Sequence, residues 1–137
     1  MKHVELNPSG HFDKWPETKI QELLNYYKTP QKGKQLILAN DDVVLWEISL
    51  LPGQRLPFQP WHKDLGWTCP NGGLAISRFS SGKILLLSFD KDDNGFKNYT
   101  PTDTLFDFEN IGESLLTINV IEYNTKKENQ EIYKSIA

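Results

Sequence analysis

The chain has 137 residues, the length of one compact domain, and its 38% hydrophobic and 24% charged residues are ordinary globular usage, not that of a disordered or fibrous chain. Its formal net charge is -3 and its lysines and arginines are scattered, so there is no basic footprint for nucleic acid or an anionic membrane, and neither is an expected partner. Cys69 is the single cysteine, which excludes an intrachain disulfide, and no Cys/His zinc spacing occurs.

Met1 to Pro8 lacks the apolar core of a secretory signal, and no run approaches a membrane span, so a cytoplasmic location is expected. The first predicted element is a helix from Pro16 to Tyr27, where Ile20, Leu23, Leu24 and Tyr27 recur at helical spacing and Pro16 suits the first turn. Strand-like stretches follow at Gln35–Ala39, Val43–Leu51, Leu56–Phe58, Trp67–Cys69, Gly73–Phe79, Ile84–Phe89 and Leu115–Tyr123. Ser80-Ser81-Gly82 reads as a hairpin turn and Lys91-Asp92-Asp93-Asn94-Gly95 as a loop tip. A short second helix is predicted over Lys127–Ser135. Many short strands separated by turn signals mean a sandwich or a barrel.

Gly53, Gln59, Trp61, Gly66 and Gly73 have the spacing of a known motif. The stretch resembles the first signature of the cupin superfamily, in which a glycine is followed by His-x-His, then Glu, then Gly. Phe106 and Asn110 likewise match the second signature, a histidine and, after three residues, an asparagine. The segments Val44–Ile48, Leu51–Phe58 and Trp67-Thr68 are similar to those of small single-domain bacterial cupins, and the resemblance runs from Leu36 to Tyr123. It implies an all-β fold, the cupin double-stranded β-helix or jelly-roll barrel, with a short N-terminal helix. The implied organisation is one domain: an N-terminal extension over 1–34, the barrel over 35–125 and a C-terminal tail over 126–137. It implies no particular activity, because the superfamily hosts dioxygenases, isomerases, epimerases, sensors and storage proteins.

By that template Gln59 and Trp61 face inward, Gly66 and Thr68 lie across the hairpin, and Phe106 stands opposite. In a metal-binding cupin these positions supply imidazoles and a carboxylate; here they offer one weak amide oxygen, so no metal is expected. His62 would reach the ligand face only through a register slip or a bulge, and otherwise belongs to a surface turn. His3 and His11 fall outside the barrel segment. Trp61 and Phe106 either plug the barrel or wall a pocket that stacks an organic ligand. Gln59 then needs partners, which implies a residual polar pocket or a trapped water. Arg55, by strand parity, points inward with Gln59 to grip a carboxylate or phosphate, or else forms an edge ion pair with an acidic neighbour such as Glu47. Arg78 and Glu47 are further candidates, and Asp107 and Glu109 share a face expected to be solvated. No Ser-His-Asp, Cys-His or phosphate-loop pattern occurs.

These features point to a cupin-fold protein without the usual metal site, binding a small molecule or serving a structural role, and working without a cofactor. The pocket candidates are Arg55, Gln59, Trp61, His62, Thr68 and Phe106; no residue is assigned a catalytic or metal-binding role. A homodimer is expected, with Trp46 and Trp67 near its interface. Two alternatives are a metal-independent epimerase or isomerase with His62 as base, and a cupin holding a metal through Gln59 and His62.

Overall fold

The structure is a computed structural model that describes residues 1–28 and 34–124. It contains two five-stranded antiparallel sheets. The first has the spatial order β1 (Lys2–Glu5), β7 (Ile84–Phe89), β6 (Gly73–Arg78), β9 (Leu105–Asn110), β4 (Arg55–Pro60). The second runs β2 (Lys34–Ala39), β3 (Val43–Leu50), β10 (Leu116–Tyr123), β5 (Leu65–Cys69), β8 (Asp93–Lys97).

Alternation along the strands builds the space between the sheets. Ile48 and Leu50 of β3, Leu116, Ile118 and Val120 of β10, and Leu65, Trp67 and Cys69 of β5 face Leu56, Ala75, Leu87, Phe89, Phe106 and Phe108 of the first sheet. Burying each large aliphatic side chain of this set stabilises the fold by about 1.5–3 kcal/mol. Short turns keep the sheets stacked. Leu51-Pro52-Gly53-Gln54 closes with the Gln54 amide donating to the Leu51 carbonyl at 2.9 Å, and Gly53 takes a φ of 83°, the conformation that a type II turn demands there. Asn110, fully buried, donates to the Leu50 and Ser114 carbonyls at 2.8 and 2.9 Å and so ties the end of β9 to the end of β3.

The α-helix among the described residues, α1 (Glu17–Leu24), packs on the outer face of the first sheet, where Trp15 and Leu23 join Phe58 and Ile84 in a second apolar cluster. The arm leading to it is anchored on the expected hairpin turn. The Gly82 carbonyl accepts from Phe12 N–H at 2.8 Å, Asn7 Nδ2 at 2.7 Å and Trp15 Nε1 at 2.9 Å, while Asn7 Oδ1 accepts from Ile84 N–H at 2.9 Å.

Several expectations need correction. The helix ends at Leu24 and gives way to a 3-10 turn over Tyr26–Lys28; Leu24 and Tyr27 are exposed, and Tyr26 packs in their place. The predicted loop tip at Lys91–Gly95 is a loop only to Asp92, and Asp93 already begins β8. Residues 1–34 contain β1, paired with β7, and Leu105–Asn110 forms β9, a strand that the sequence pattern does not predict. The helix predicted over Lys127–Ser135 lies outside the described residues. Among the described residues no helix is long and apolar enough to cross a membrane.

Candidate functional site

The geometry of the site is set by an irregularity in β4. Leu56 pairs with Phe108 and Gln59 with Phe106, so the two intervals differ by one residue and β4 bulges at Pro57-Phe58. A proline cannot donate to the ladder, which places the irregularity there. The bulge shifts the parity: Leu56 and Gln59 both face the interior, whereas Arg55 and Phe58 face α1. Phe58 stacks on Trp15, with centroids 5.9 Å apart and planes 7° from parallel.

Arg55 therefore does not look into the barrel. Its Nε donates to Asp107 at 2.6 Å and its Nη2 pairs with Glu22 of α1. Asp107, fully buried, also accepts from Arg78 Nη1 at 2.8 Å and from the Arg78 backbone N–H at 2.6 Å; Arg78 reaches Glu109 at 3.3 Å. The acidic partners are Glu22 and Asp107 rather than Glu47, and the face shared by Asp107 and Glu109 is covered, not solvated. Burial alone would raise the Glu22 pKa, but the hydrogen bond and charge of Arg55 outweigh it and hold the carboxyl below its ordinary value. This network fastens α1 to the barrel.

Between the sheets lies a cavity of about 290 Å³. Its walls are aromatic and aliphatic, with Trp61, Trp67, Phe79, Phe89, Phe96, Phe106 and Phe108 among the rings and Leu85, Ile118 and Val120 among the aliphatic side chains. Trp61 stacks on Phe106 at 5.0 Å and 10°, and Trp67 meets Phe89 edge-on at 5.2 Å. Trp67 also lies against Gly95, where a Cβ would come within 2.5 Å of its ring, so only glycine fits beneath it.

Of the six pocket candidates, Trp61 and Phe106 line this cavity and Arg55, Gln59, His62 and Thr68 do not. Gln59 is close by, paired with Phe106 and 0% exposed, yet among the described residues neither its amide nitrogen nor its oxygen has a hydrogen-bond partner. The cavity beside it is lined mainly by apolar side chains. His62 is exposed beyond the end of β4, its ring 6.3 Å from that of Tyr99. Thr68 is exposed too, because Leu65, Trp67 and Cys69 are the inward residues of β5; Gly66 and Thr68 share the opposite face. His3, outside the segment of the resemblance, is exposed on β1 opposite Leu87 and also lines the cavity.

The donor set does not fit a cupin metal. Three of the four signature positions meet, as Gln59, Trp61 and Phe106, and only the first carries a donor; the fourth, Gly66, faces away. No three His, Cys, Asp or Glu side chains converge among the described residues.

Charge enters the cavity from residues that the sequence did not single out. Lys97 of β8 pairs with the buried Leu65 and so points inward, its Nζ 5.4 Å from the Phe79 ring centroid and 5.7 Å from that of Phe106. Lys83, on the hairpin between β6 and β7, places its Nζ 4.7 Å from the Phe79 centroid and 3.3 Å from Asp103 Oδ2. Burial pushes the Lys97 ammonium below the ordinary lysine value; Asp103 opposes the shift and Lys83 adds to it. Lys34 stands by Trp61 as well, 4.8 Å from that ring and 4.2 Å from Trp46.

Comparison with solved structures shows what this architecture is. The chain is similar to a cupin domain from Bordetella pertussis (TM-score 0.59, 12% identity, 69% of this chain and 97% of that one). It is similar also to an RmlC-like cupin family protein with a double-stranded β-helix fold from Methanocaldococcus jannaschii (TM-score 0.54, 13% identity, 74% and 90%). A third is an uncharacterized conserved protein with a double-stranded β-helix domain from Klebsiella pneumoniae (TM-score 0.52, 19% identity, 72% and 85%). No family model and no curated protein matches the sequence. The protein has the cupin fold, the double-stranded β-helix. At these identities the likeness is one of fold alone.

Proposed function

We propose that this protein binds a small, largely apolar organic molecule between its two sheets, without a metal. The observation that carries the reading is the aromatic cavity of about 290 Å³, in the place where the cupin template expects metal-ligand side chains and where Trp61 and Phe106 stack instead. Ligand sites are concave and mainly apolar, with few polar groups, and this volume lies near the lower end of their usual range. The stacked rings leave space beside them, which favours a pocket wall over a plug. An epimerase or isomerase reading has less support, because His62, its candidate base, is outside the cavity.

A neutral aromatic amide tests this. Titration of 2-naphthamide should quench the fluorescence of Trp61 and Trp67 and give one site per chain by calorimetry. Val120→Phe, which grows into the cavity from β10, should abolish binding while the circular dichroism spectrum and thermal melt remain those of a folded chain. Binding that is undiminished in folded Val120→Phe, or absent from the wild type up to the solubility limit, refutes the reading.

A further inference from the structure

Strand β8 has its polarity reversed. A half-buried strand places apolar residues inside and charged ones outside, yet here Lys97 faces the barrel interior while Phe96, which also touches the cavity, is 58% exposed and meets Tyr123. Removing an ammonium from water is costly unless it is paired, and among the described residues the half-buried Lys97 has ring contacts and the more distant charge of Asp103 but no carboxylate at ion-pair distance. Asp103 neutralises one lysine and is bonded to Lys83. Two cations and one anion at the Phe79 and Phe106 end of the cavity therefore leave a residual charge of +1 on those three groups.

From this arrangement we propose that the cavity ligand carries a single acidic head group, a carboxylate, which lies between Lys97 and Lys83 while its apolar body occupies the space lined by Trp61, Trp67 and Phe89. The inference rests on the proposed binding function and narrows its ligand class. The chemistry is complementary at both ends: the rings and aliphatic side chains accept a hydrophobic skeleton, and a charge-assisted hydrogen bond from Lys97 replaces the water that burial has taken from it. A single carboxylate balances the residual charge, whereas a phosphate dianion exceeds it. Broken alternation of this kind is where a strand departs from folding logic for the sake of a site.

The test compares 2-naphthoate with 2-naphthamide, two molecules of nearly the same shape that differ in charge. Calorimetry on the wild-type protein near neutral pH should show the carboxylate binding at least about tenfold more tightly. Lys97→Met keeps the length of the side chain and removes its charge; it should bring the two affinities together, mainly by weakening naphthoate, with the amide held to within about threefold. Lys83→Met should reduce the preference in part, and it serves as an independent variant should Lys97→Met not fold. Equal binding of both probes by the wild type, or an equal loss of both in a folded Lys97→Met, overturns the acidic head group and leaves the apolar site standing. Failure of both probes to bind the wild type overturns the two proposals together.

Discussion

Trp61 and Phe106 stack face to face, 5.0 Å apart and 10° from parallel, across the two positions where the cupin signatures would set one histidine of each. The backbone thus still brings the two signatures together, and Gln59, directly opposite Phe106, belongs to the same group. The fourth position does not, since Gly66 lies on the outer face of β5 with Tyr123 Oη 3.5 Å from where its Cβ would be.

Metal affinity should therefore be recoverable with three substitutions and should gain nothing from the fourth. The variant Gln59→His, Trp61→His, Phe106→His is expected to take up Zn or Ni where the wild type takes up none, once circular dichroism has shown that it folds. Adding Gly66→Glu should leave the affinity within about threefold, because the new carboxylate points away from the imidazoles. A clear tightening by Gly66→Glu in the titration would mean that β5 is in the other register.

Asp107→Asn should destabilise the fold by roughly 3–5 kcal/mol in urea denaturation, the range for a buried ion pair that loses one partner. The substitution keeps the shape and removes the charge that Arg55 and Arg78 share at 2.6 and 2.8 Å. A change below about 1 kcal/mol would show the network to be solvated like an ordinary surface pair.

The same network predicts acid sensitivity. Glu22 has a lowered pKa in the folded state, so its contribution is fully present above the ordinary glutamate value and is lost as the pH falls through the folded value. Glu22→Gln should accordingly lower the melting temperature more at neutral pH than at about pH 3. An equal loss at both pH values would assign the effect to packing.

How far the sequence discloses this arrangement depends on the strand. Leu116, Ile118 and Val120 alternate with polar residues, so β10 is legible, as are β3, β6 and β7. Strand β8 is hidden because Asp93-Asn94-Gly95 has the composition of a turn and its one aromatic residue faces outward. The alternation Leu65, Trp67, Cys69 already marks the inward face of β5; signature spacing carried over from metal-binding cupins masks it. Pro57 is likewise a visible sign of the bulge that turns Arg55 outward, and strand parity counted through it gives the wrong face. Lys97 has no local sequence signal. Only its pairing with Leu65 shows that it points inward.

Gln59→Met should raise stability. The amide is 0% exposed and neither of its polar atoms has a partner among the described residues, so replacing it with an apolar chain of similar length should remove a cost of about 1–3 kcal/mol. Chemical denaturation with an unchanged m-value checks it. A loss of stability above about 1 kcal/mol would mean that the amide is hydrogen-bonded in solution.

A homodimer remains our expectation, but its interface moves. Trp67 faces the cavity and Trp46 packs against the core, so we look for the anchor elsewhere than at these two residues. The second sheet ends instead at β2, whose Leu36, Ile37 and Leu38 are 52%, 53% and 49% exposed. Consecutive aliphatic side chains on a strand that is at the sheet edge among the described residues form a template for another strand, and monomeric proteins usually blunt such edges with charge or proline. A second copy meeting β2 across a two-fold axis would cover both edges at once. Light scattering at tens of micromolar should give twice the chain mass, and Ile37→Lys, at the bulge between Leu36 and Leu38, should give a folded monomer. A monomeric wild type rules the dimer out, and a dimeric Ile37→Lys places the interface away from β2.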